Sequence, residues 1–419
     1  MAHIKKLLSF IDQNPTAFHT VASVKKELLS ASYTEFSEGE TWRLSKARKG
    51  FVIRNSSSLI AFAIPEKPIK GFHIFSAHTD SPVFRIKENP ELNFGDYIRL
   101  NVEKYGGMIV SSWFDRPLSI AGRILFEDKK GIVEKLVNVD RDLCVIPNVA
   151  IHMNSDINNG YKYDIQKDVP PLFALGKKGI YSEIMAKETG VKAEDILGSD
   201  LFVYPRQKGF TFGSKNEFAA SPRLDDQACV YAGLRGLLDS EAGEYVRVLA
   251  LFDNEEVGSG TKQGADSTFL EDVLYRIGES LSWSRTEYLK MLYDSFALSA
   301  DNAHGVHPAM SDKADPVNRP VLNGGVVLKF NGNQKYATDA SSAAFVRSLA
   351  RKNKLRLQDY ANNSNIPGGS TLGNISTAHV SVRTADIGLA QLAMHSACET
   401  MGSKDIDDMI KLASAFFSL

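Results

Sequence analysis

Residues 246–252, VRVLALF, run almost without a polar break into Asp253-Asn254-Glu255-Glu256. Seven residues is strand length. An apolar run that does not alternate belongs to a strand buried on both faces, inside a sheet carrying helices on either side. Acidic residues set directly against such a strand need a reason, because a desolvated carboxylate is costly unless it is paired or coordinates a metal.

The same juxtaposition recurs along the chain. The strand predicted at 72–77 ends on His78-Thr79-Asp80. The strand predicted at 295–300 ends on Asp301-Asn302-Ala303-His304. Asp225 and Asp226 open a predicted helix over 225–239. In open α/β sheets ligands bind beyond the carboxyl ends of the strands, so these four boundaries point to one crevice. Carboxylates gathered there would repel one another and take up protons unless cations neutralise them. Mixed imidazole and carboxylate donors suit zinc, manganese or cobalt. Of the neighbours Glu255 and Glu256, one can take a proton from water while the other holds a metal. The residues alone support a dinuclear metal hydrolase with its substrate open.

The rest of the chain sets the frame. Helices are expected over 3–11 and 17–30, where apolar positions such as Ile4, Leu7, Leu8 and Ile11 recur at helical spacing. Two strands joined by Asn55-Ser56-Ser57 are expected within 50–64. Residues 91–215 change texture to short β-rich runs with one helix at about 181–188. The α/β rhythm then returns, with helices at 268–279, 339–351 and 404–417 and strands at 326–330 and 379–384. The expected fold is α/β: a central mixed sheet covered by helices, written in two pieces (1–90 and 216–419), with an inserted β-rich domain at 91–215.

Composition narrows the function. Forty-nine Lys and Arg balance fifty Asp and Glu for a net charge of −1. A nucleic-acid binder should carry a basic excess, so none is expected as a partner. No stretch reaches the ~20 apolar residues of a membrane span, and the amphipathic N-terminal residues do not read as a signal peptide. A cytoplasmic location is expected. Three scattered cysteines, Cys144, Cys229 and Cys398, form no Cys-x-x-Cys pair and read as reduced, buried residues. Gly258-Ser259-Gly260-Thr261-Lys262 lacks the Ser or Thr that a phosphate loop needs after its lysine. His-Glu-x-x-His and Gly-x-Ser-x-Gly are absent. Pro367-Gly368-Gly369-Ser370-Thr371 is a tight glycine loop whose N–H groups could face an oxyanion or simply form a turn. His19, His73 and His307 are expected in structural or surface roles.

Five segments in order, SAHTDSPVFR (76–85), SPRLDDQ (221–227), FDNEEVGSGTKQGA (252–265), SADNAHGVHP (299–308) and QLAMHS (391–396), resemble the M18 family of metalloaminopeptidases, the aspartyl aminopeptidase family, and suggest a bacterial member. The resemblance runs nearly end to end. It implies a zinc exopeptidase-like catalytic domain interrupted by a dimerisation domain, in dimers that assemble into a tetrahedral dodecamer. It implies two divalent ions per chain, zinc foremost, with cobalt and manganese compatible. His78 and Asp301 would bind the first metal, Asp225 would bridge, and Glu256 and His395 would bind the second. Glu255 would be the general base. Asp80 would be its catalytic companion by orienting the His78 imidazole. His152, His304 and Lys329 would contact substrate, His152 reaching a neighbouring subunit's site. His379 looks like a ligand from its place near a predicted strand, but the match points to His395 instead.

The expected activity is release of the N-terminal residue of peptides, with a preference for Asp or Glu. Lys329 offers a point charge for such a side chain, although the sequence near the pocket is otherwise poor in arginine. The alternatives are a related dinuclear amidohydrolase acting on N-acyl amino acids, and an aminopeptidase of broad or neutral specificity. A non-catalytic peptide-binding scaffold would have lost a ligand or the base, and every one of these residues is present.

Overall fold

The computed structural model describes residues 2–44, 47–129 and 131–419. They divide into two compact units. The first comprises Met1–Asp80, Gly209–Met394 and Glu399–Leu419; the second comprises Ser81–Lys208 and His395–Cys398.

The first unit is built on a 13-stranded mixed sheet. Its centre is three parallel strands. Gly71–His78 lies between Tyr245–Phe252 and Phe296–Ala300, with Phe252 beside His78 and Ser299 beside Ser76. The strand Arg383–Leu392 continues the parallel set on the far side of Phe296–Ala300. The antiparallel hairpin Lys49–Arg54 and Ser58–Ala63 flanks Tyr245–Phe252. Its connecting residues Asn55 and Ser56 both take φ of +56°, the left-handed pair that suits a tight hairpin turn.

Side-chain alternation explains the continuous apolar run. Val246, Val248, Ala250 and Phe252 point into one core with Phe269, Val273 and Ile277 of the helix Phe269–Ser280. Leu249 and Leu251 point into the other, with Leu234 of the helix Leu224–Asp239 and Phe416 of the helix Asp405–Phe417. Those last two helices lie so close that a Cβ on Gly236 would come within 3.0 Å of the Ala413 carbonyl carbon. Asp405, at the start of its helix, accepts the N–H groups of Asn323 and Gly325 at 2.7 and 2.9 Å. This fixes the turn that feeds the strand Val326–Phe330.

The second unit is a six-stranded antiparallel sheet around its own apolar core, including Phe84, Trp113, Ile120 and Val203. The helix Ile180–Thr189 lies in it.

Three elements differ from expectation. The strand placed at 379–384 begins at Arg383 and runs to Leu392. The β-like text Ala378-His379-Val380 instead closes a helical turn, with the N–H groups of His379 and Val380 bonded to the Ser376 carbonyl at 3.1 and 2.9 Å. The helix Arg285–Asp294 and the strand Leu357–Ala361 were not expected. The helix opens on a reciprocal cap in which Ser284 and Glu287 satisfy each other's backbone N–H. Among the described residues no helix is long and apolar enough to cross a membrane. Cys144, Cys229 and Cys398 are all unbridged.

Candidate active site and metal centre

Parallel register brings the ends of the three central strands to one edge of the sheet. His78 is the last residue of its strand, and its backbone N–H donates to Asp226 at 3.1 Å. Asp225 and Asp226 stand at the head of the helix Leu224–Asp239, where both depart from helical geometry. The Asp225 N–H donates to Glu399 at 2.9 Å. His78 Nε2 lies 3.3 Å from Asp225 and 3.8 Å from Asp301. Its Nδ1 lies 3.1 Å from the Asp80 carbonyl oxygen and 3.3 Å from the Asp80 carboxylate. A ring nitrogen so held fixes the tautomer and leaves Nε2 to act as a ligand.

Asp80 also organises the neighbouring loop. Its two carboxylate oxygens accept the consecutive N–H groups of Glu255 and Glu256 at 3.2 and 3.1 Å. The turn is tight: Asn254, Gly258 and Ser259 all have φ between +61° and +96°. Side-chain donors of His78, Asp225, Asp226 and Asp301 come within 4.8 Å of one another, as do those of His78, Glu255 and Glu256.

Lys329 closes the back of the site. It is fully buried, and its ammonium donates to the Asp301 carbonyl at 3.0 Å, the Asn302 carbonyl at 3.1 Å and the Asp301 carboxylate at 3.3 Å. Its three hydrogens therefore have three acceptors inside the protein. It also stands 4.8 Å from the Tyr336 ring centre.

The electrostatics follow from crowding. Burial, reinforced by Asp301 and Asp225, pushes the Asp226 carboxyl well up. Burial likewise raises Glu256 and takes Glu255 to about 8. Burial opposes charging His78, but Asp226, Asp225, Asp301 and Asp80 outweigh it and raise its pKa. Asp301 is the exception: despite its burial, Lys329 and His78 hold it well below the usual carboxylate range.

These residues fit a divalent metal centre. Six carboxylates (Asp80, Asp225, Asp226, Glu255, Glu256 and Asp301) surround one imidazole and one ammonium, most of them out of water. Asp226 Oδ1 is buried without a hydrogen-bond partner. Such a set is intolerable as free anions and natural around cations.

Comparison with known proteins decides the family. The family described as "Aminopeptidase I zinc metalloprotease (M18)" matches residues 10–417. The chain belongs to the M18 family. This M18 chain is 45% identical to the "Probable M18 family aminopeptidase 2" of Clostridium acetobutylicum, over 99% of this chain and 98% of the relative. Its fold matches a structure of Ape4 in complex with Nbr1 at a TM-score of 0.95 and 33% identity, covering 99% of this chain and 85% of that one. It matches the S. cerevisiae mApe1 dodecamer at a TM-score of 0.87 and 28% identity, covering 99% and 96%. The chain is thus a peptide hydrolase of a zinc metalloprotease family.

The remaining residues stand as follows. His304 is exposed, at the end of the two-residue strand Ala303–His304. His152 is exposed within the second unit. His395 belongs to the 395–398 segment of that unit, with φ of +67° and its carbonyl accepting the Ile109 N–H at 3.0 Å. His379 pairs with Asp266 at 2.8 Å, as a surface histidine would. Sequence reasoning did not assign Asp226, Gln391 or Glu399 a role. Gln391 donates to Asp225 at 3.4 Å and accepts from Asn302 at 3.3 Å. Asp226 had a signal in its adjacency to Asp225; the other two come from a distant strand pair and had none.

Proposed function

We propose that this M18 chain is a dinuclear zinc aminopeptidase that removes the N-terminal residue of peptides and prefers Asp or Glu there. The observation that carries it is the gathering of buried His78, Asp225, Asp226 and Asp301 with half-buried Glu255 and Glu256 at the edge where the parallel strands end. His78 and Asp301 would hold one ion, Glu256 and His395 the other, with Asp225 shared. Two divalent ions bound there would neutralise four of the carboxylate charges and polarise the scissile carbonyl.

The chain's own residues supply the rest. Glu255 takes the proton of the attacking water and passes it to the leaving amine; a carboxyl raised by burial suits both tasks. Asp80 sets the His78 ring and the Glu255-Glu256 backbone. Lys329 keeps Asp301 ionised and aimed. A substrate contact from Lys329 would compete with its three acceptors, whereas exposed His304 can reach substrate directly. His152 would serve the site of a neighbouring copy. The second unit would mediate dimers, and by analogy with the mApe1 dodecamer these would build a tetrahedral dodecamer in the cytoplasm.

The test is kcat/KM for peptides differing only at the first residue (Asp, Glu, Leu, Ala, Lys), with zinc, cobalt and manganese each supplied. It is run beside N-acyl amino acids and a metal count after dialysis. Free-amine substrates cleaved by protein retaining two ions per chain support the reading. Cleavage of N-acyl amino acids alone would falsify it.

A further inference from the structure

A ligand shared by two ions displaces both when it moves, and metal–ligand distances tolerate only about 0.2 Å. The backbone that carries Asp225 is nevertheless irregular. Asp225 and Asp226 both depart from helical angles, and Arg223 before them takes φ of +59°, a conformation costly for a residue with a side chain. A turn without a helical ladder has to be held from outside. Glu399 receives the Asp225 N–H, and Asp226 receives that of His78.

Both flanks of this turn are held by another part of the first unit, the connection between the helices Ala2–Gln13 and Ala17–Ser30. Ahead of the aspartates, Arg223 Nη2 donates to the Ile11 carbonyl at 3.1 Å. Behind them, Gln227 Nε2 donates to the Asn14 carbonyl at 2.8 Å. The Asn14 N–H donates to the same Ile11 carbonyl at 3.1 Å, so both acceptors belong to one closed turn. That turn is itself fastened. Asn14 Oδ1 accepts the Ser23 hydroxyl at 2.6 Å, and Asp12 accepts the Gly209 N–H at 3.0 Å. Asn14 and Gln227 are fully buried, and Arg223 nearly so.

Stability alone does not call for an amide at 227. Leu224, Ala228 and Leu234 of the same helix pack into the apolar core. A buried amide adds little net stability over a packed hydrocarbon, and Gln227 Oε1 has no partner among the described residues. What the amide adds is direction: a hydrogen bond fixes a distance, whereas apolar contact is non-directional.

We propose that the Ile11–Asn14 turn sets the position of the Asp225-Asp226 turn, and through it of the metal centre, with Arg223 and Gln227 as the positioning residues that transmit it. The inference rests on the metal-centre reading and adds to it a support from the first two helices.

The experiment compares wild type, Gln227→Met, Arg223→Met, Arg223→Lys and Phe10→Leu. Phe10 packs on Tyr231 with ring centres 5.6 Å apart, so Phe10→Leu loosens the same helix contact without touching either hydrogen bond. Metal-free protein is titrated with cobalt, followed by its visible absorption, and melted thermally. Gln227→Met and Arg223→Met should weaken uptake of both ions together by about 10- to 100-fold, the range for residues behind metal ligands, and alter the cobalt spectrum. Arg223→Lys keeps one donor and should recover part of the loss. Phe10→Leu should melt earlier yet bind cobalt within about twofold of wild type. Equal weakening in Phe10→Leu, weakening of one ion alone, or affinity within about twofold of wild type in both Met variants overturns the proposal. If neither Met variant folds, Arg223→Lys decides: weakened uptake at an unchanged melting temperature sustains the proposal, and unchanged uptake rejects it. If wild type binds no cobalt, the metal-centre reading fails separately. Amide hydrogen exchange at Asp225 and Asp226 then decides: exchange at least ~10-fold faster in Gln227→Met than in Phe10→Leu sustains the positioning role, and equal exchange rejects it.

Discussion

The ammonium of Lys329 lies 3.0 Å from the backbone carbonyl of Asp301 and 3.3 Å from its carboxylate, both groups buried. One side chain thus holds a proposed ligand residue by its main chain and its charge together. Removing the cation from such a pair strands a buried anion, at a cost of about 3–5 kcal/mol. Lys329→Met should therefore lower metal retention and depress kcat/KM at least ~10-fold on acidic and neutral substrates alike. Metal analysis after dialysis, with substrate ratios on reloaded enzyme, checks this; a selective loss of acidic substrates would make Lys329 a substrate contact.

Glu255→Gln should keep fold and metal but lose kcat by at least ~10²-fold, the scale of general-base catalysis. Glu256→Gln should instead shift the metal titration to higher concentration. The two substitutions are neighbours with equal chemistry, so swapped phenotypes would reverse the roles assigned to them.

A Cβ on Gly388 would run into the Asp301 carbonyl oxygen, the same atom that receives Lys329. Gly388→Ala should cost about 1–3 kcal/mol, as overpacking of a closed interior does. It should also weaken metal binding by displacing Asp301. Thermal unfolding with and without metal separates the two effects, and an unchanged metal affinity would show that Asp301 tolerates the shift.

Away from the site, His73 is stacked between Tyr245 and Phe416 with ring centres 3.7 and 4.4 Å away. Its Nδ1 donates to the Phe416 carbonyl at 2.9 Å. Burial lowers its pKa from 6.5 to about 3. The unfolded chain therefore binds a proton that the folded chain refuses between those two values. Stability from this group is complete above about pH 6.5 and falls by about 1.4 kcal/mol per pH unit below it, until the folded pKa is reached. Denaturant unfolding of His73→Phe and wild type between pH 7 and 5 should show a shallower acid loss in the variant; parallel curves would refute the assignment.

Chelation should lower the melting temperature as well as abolish activity, because the carboxylate cluster loses its counter-charge. At ~1,000 times Kd a metal adds about 4 kcal/mol. Scanning calorimetry before and after chelation and zinc return measures it; an unchanged melting temperature would detach the cluster from metal.

Much of the site was readable because His78, Asp253–Glu256 and Asp301 each abut an apolar strand, so local text carried the signal. Register did the remainder, since parallel neighbours end at the same edge. Other positions depended on distant partners. Nothing near Glu399 announces that it receives the Asp225 N–H, and nothing in SDKADPVNRP announces that Arg319 lines a cavity with His304. Lys329 came to notice only through the family resemblance, and only the fold reveals which oxygens satisfy it. The error at 379–384 arose because the alternating Val380, Val382 and Thr384 read as a strand, whereas Val380 closes a helical turn and the strand begins only at Arg383. The helix at 285–294 carried a legible sign in Ser284 and Glu287 that its polar first turn obscured.

Asp80 grips Glu255 and Glu256 by adjacent N–H groups while its own main chain meets the His78 ring. The three side chains therefore share a single datum. Any drift of that carboxylate carries both glutamates the same way, and their separation survives it. What the arrangement suppresses is differential displacement, the kind that would part a proton acceptor from the electrophile it serves. Small breathing of the sheet edge can thus be absorbed as common-mode motion, without detuning the distance on which proton transfer depends.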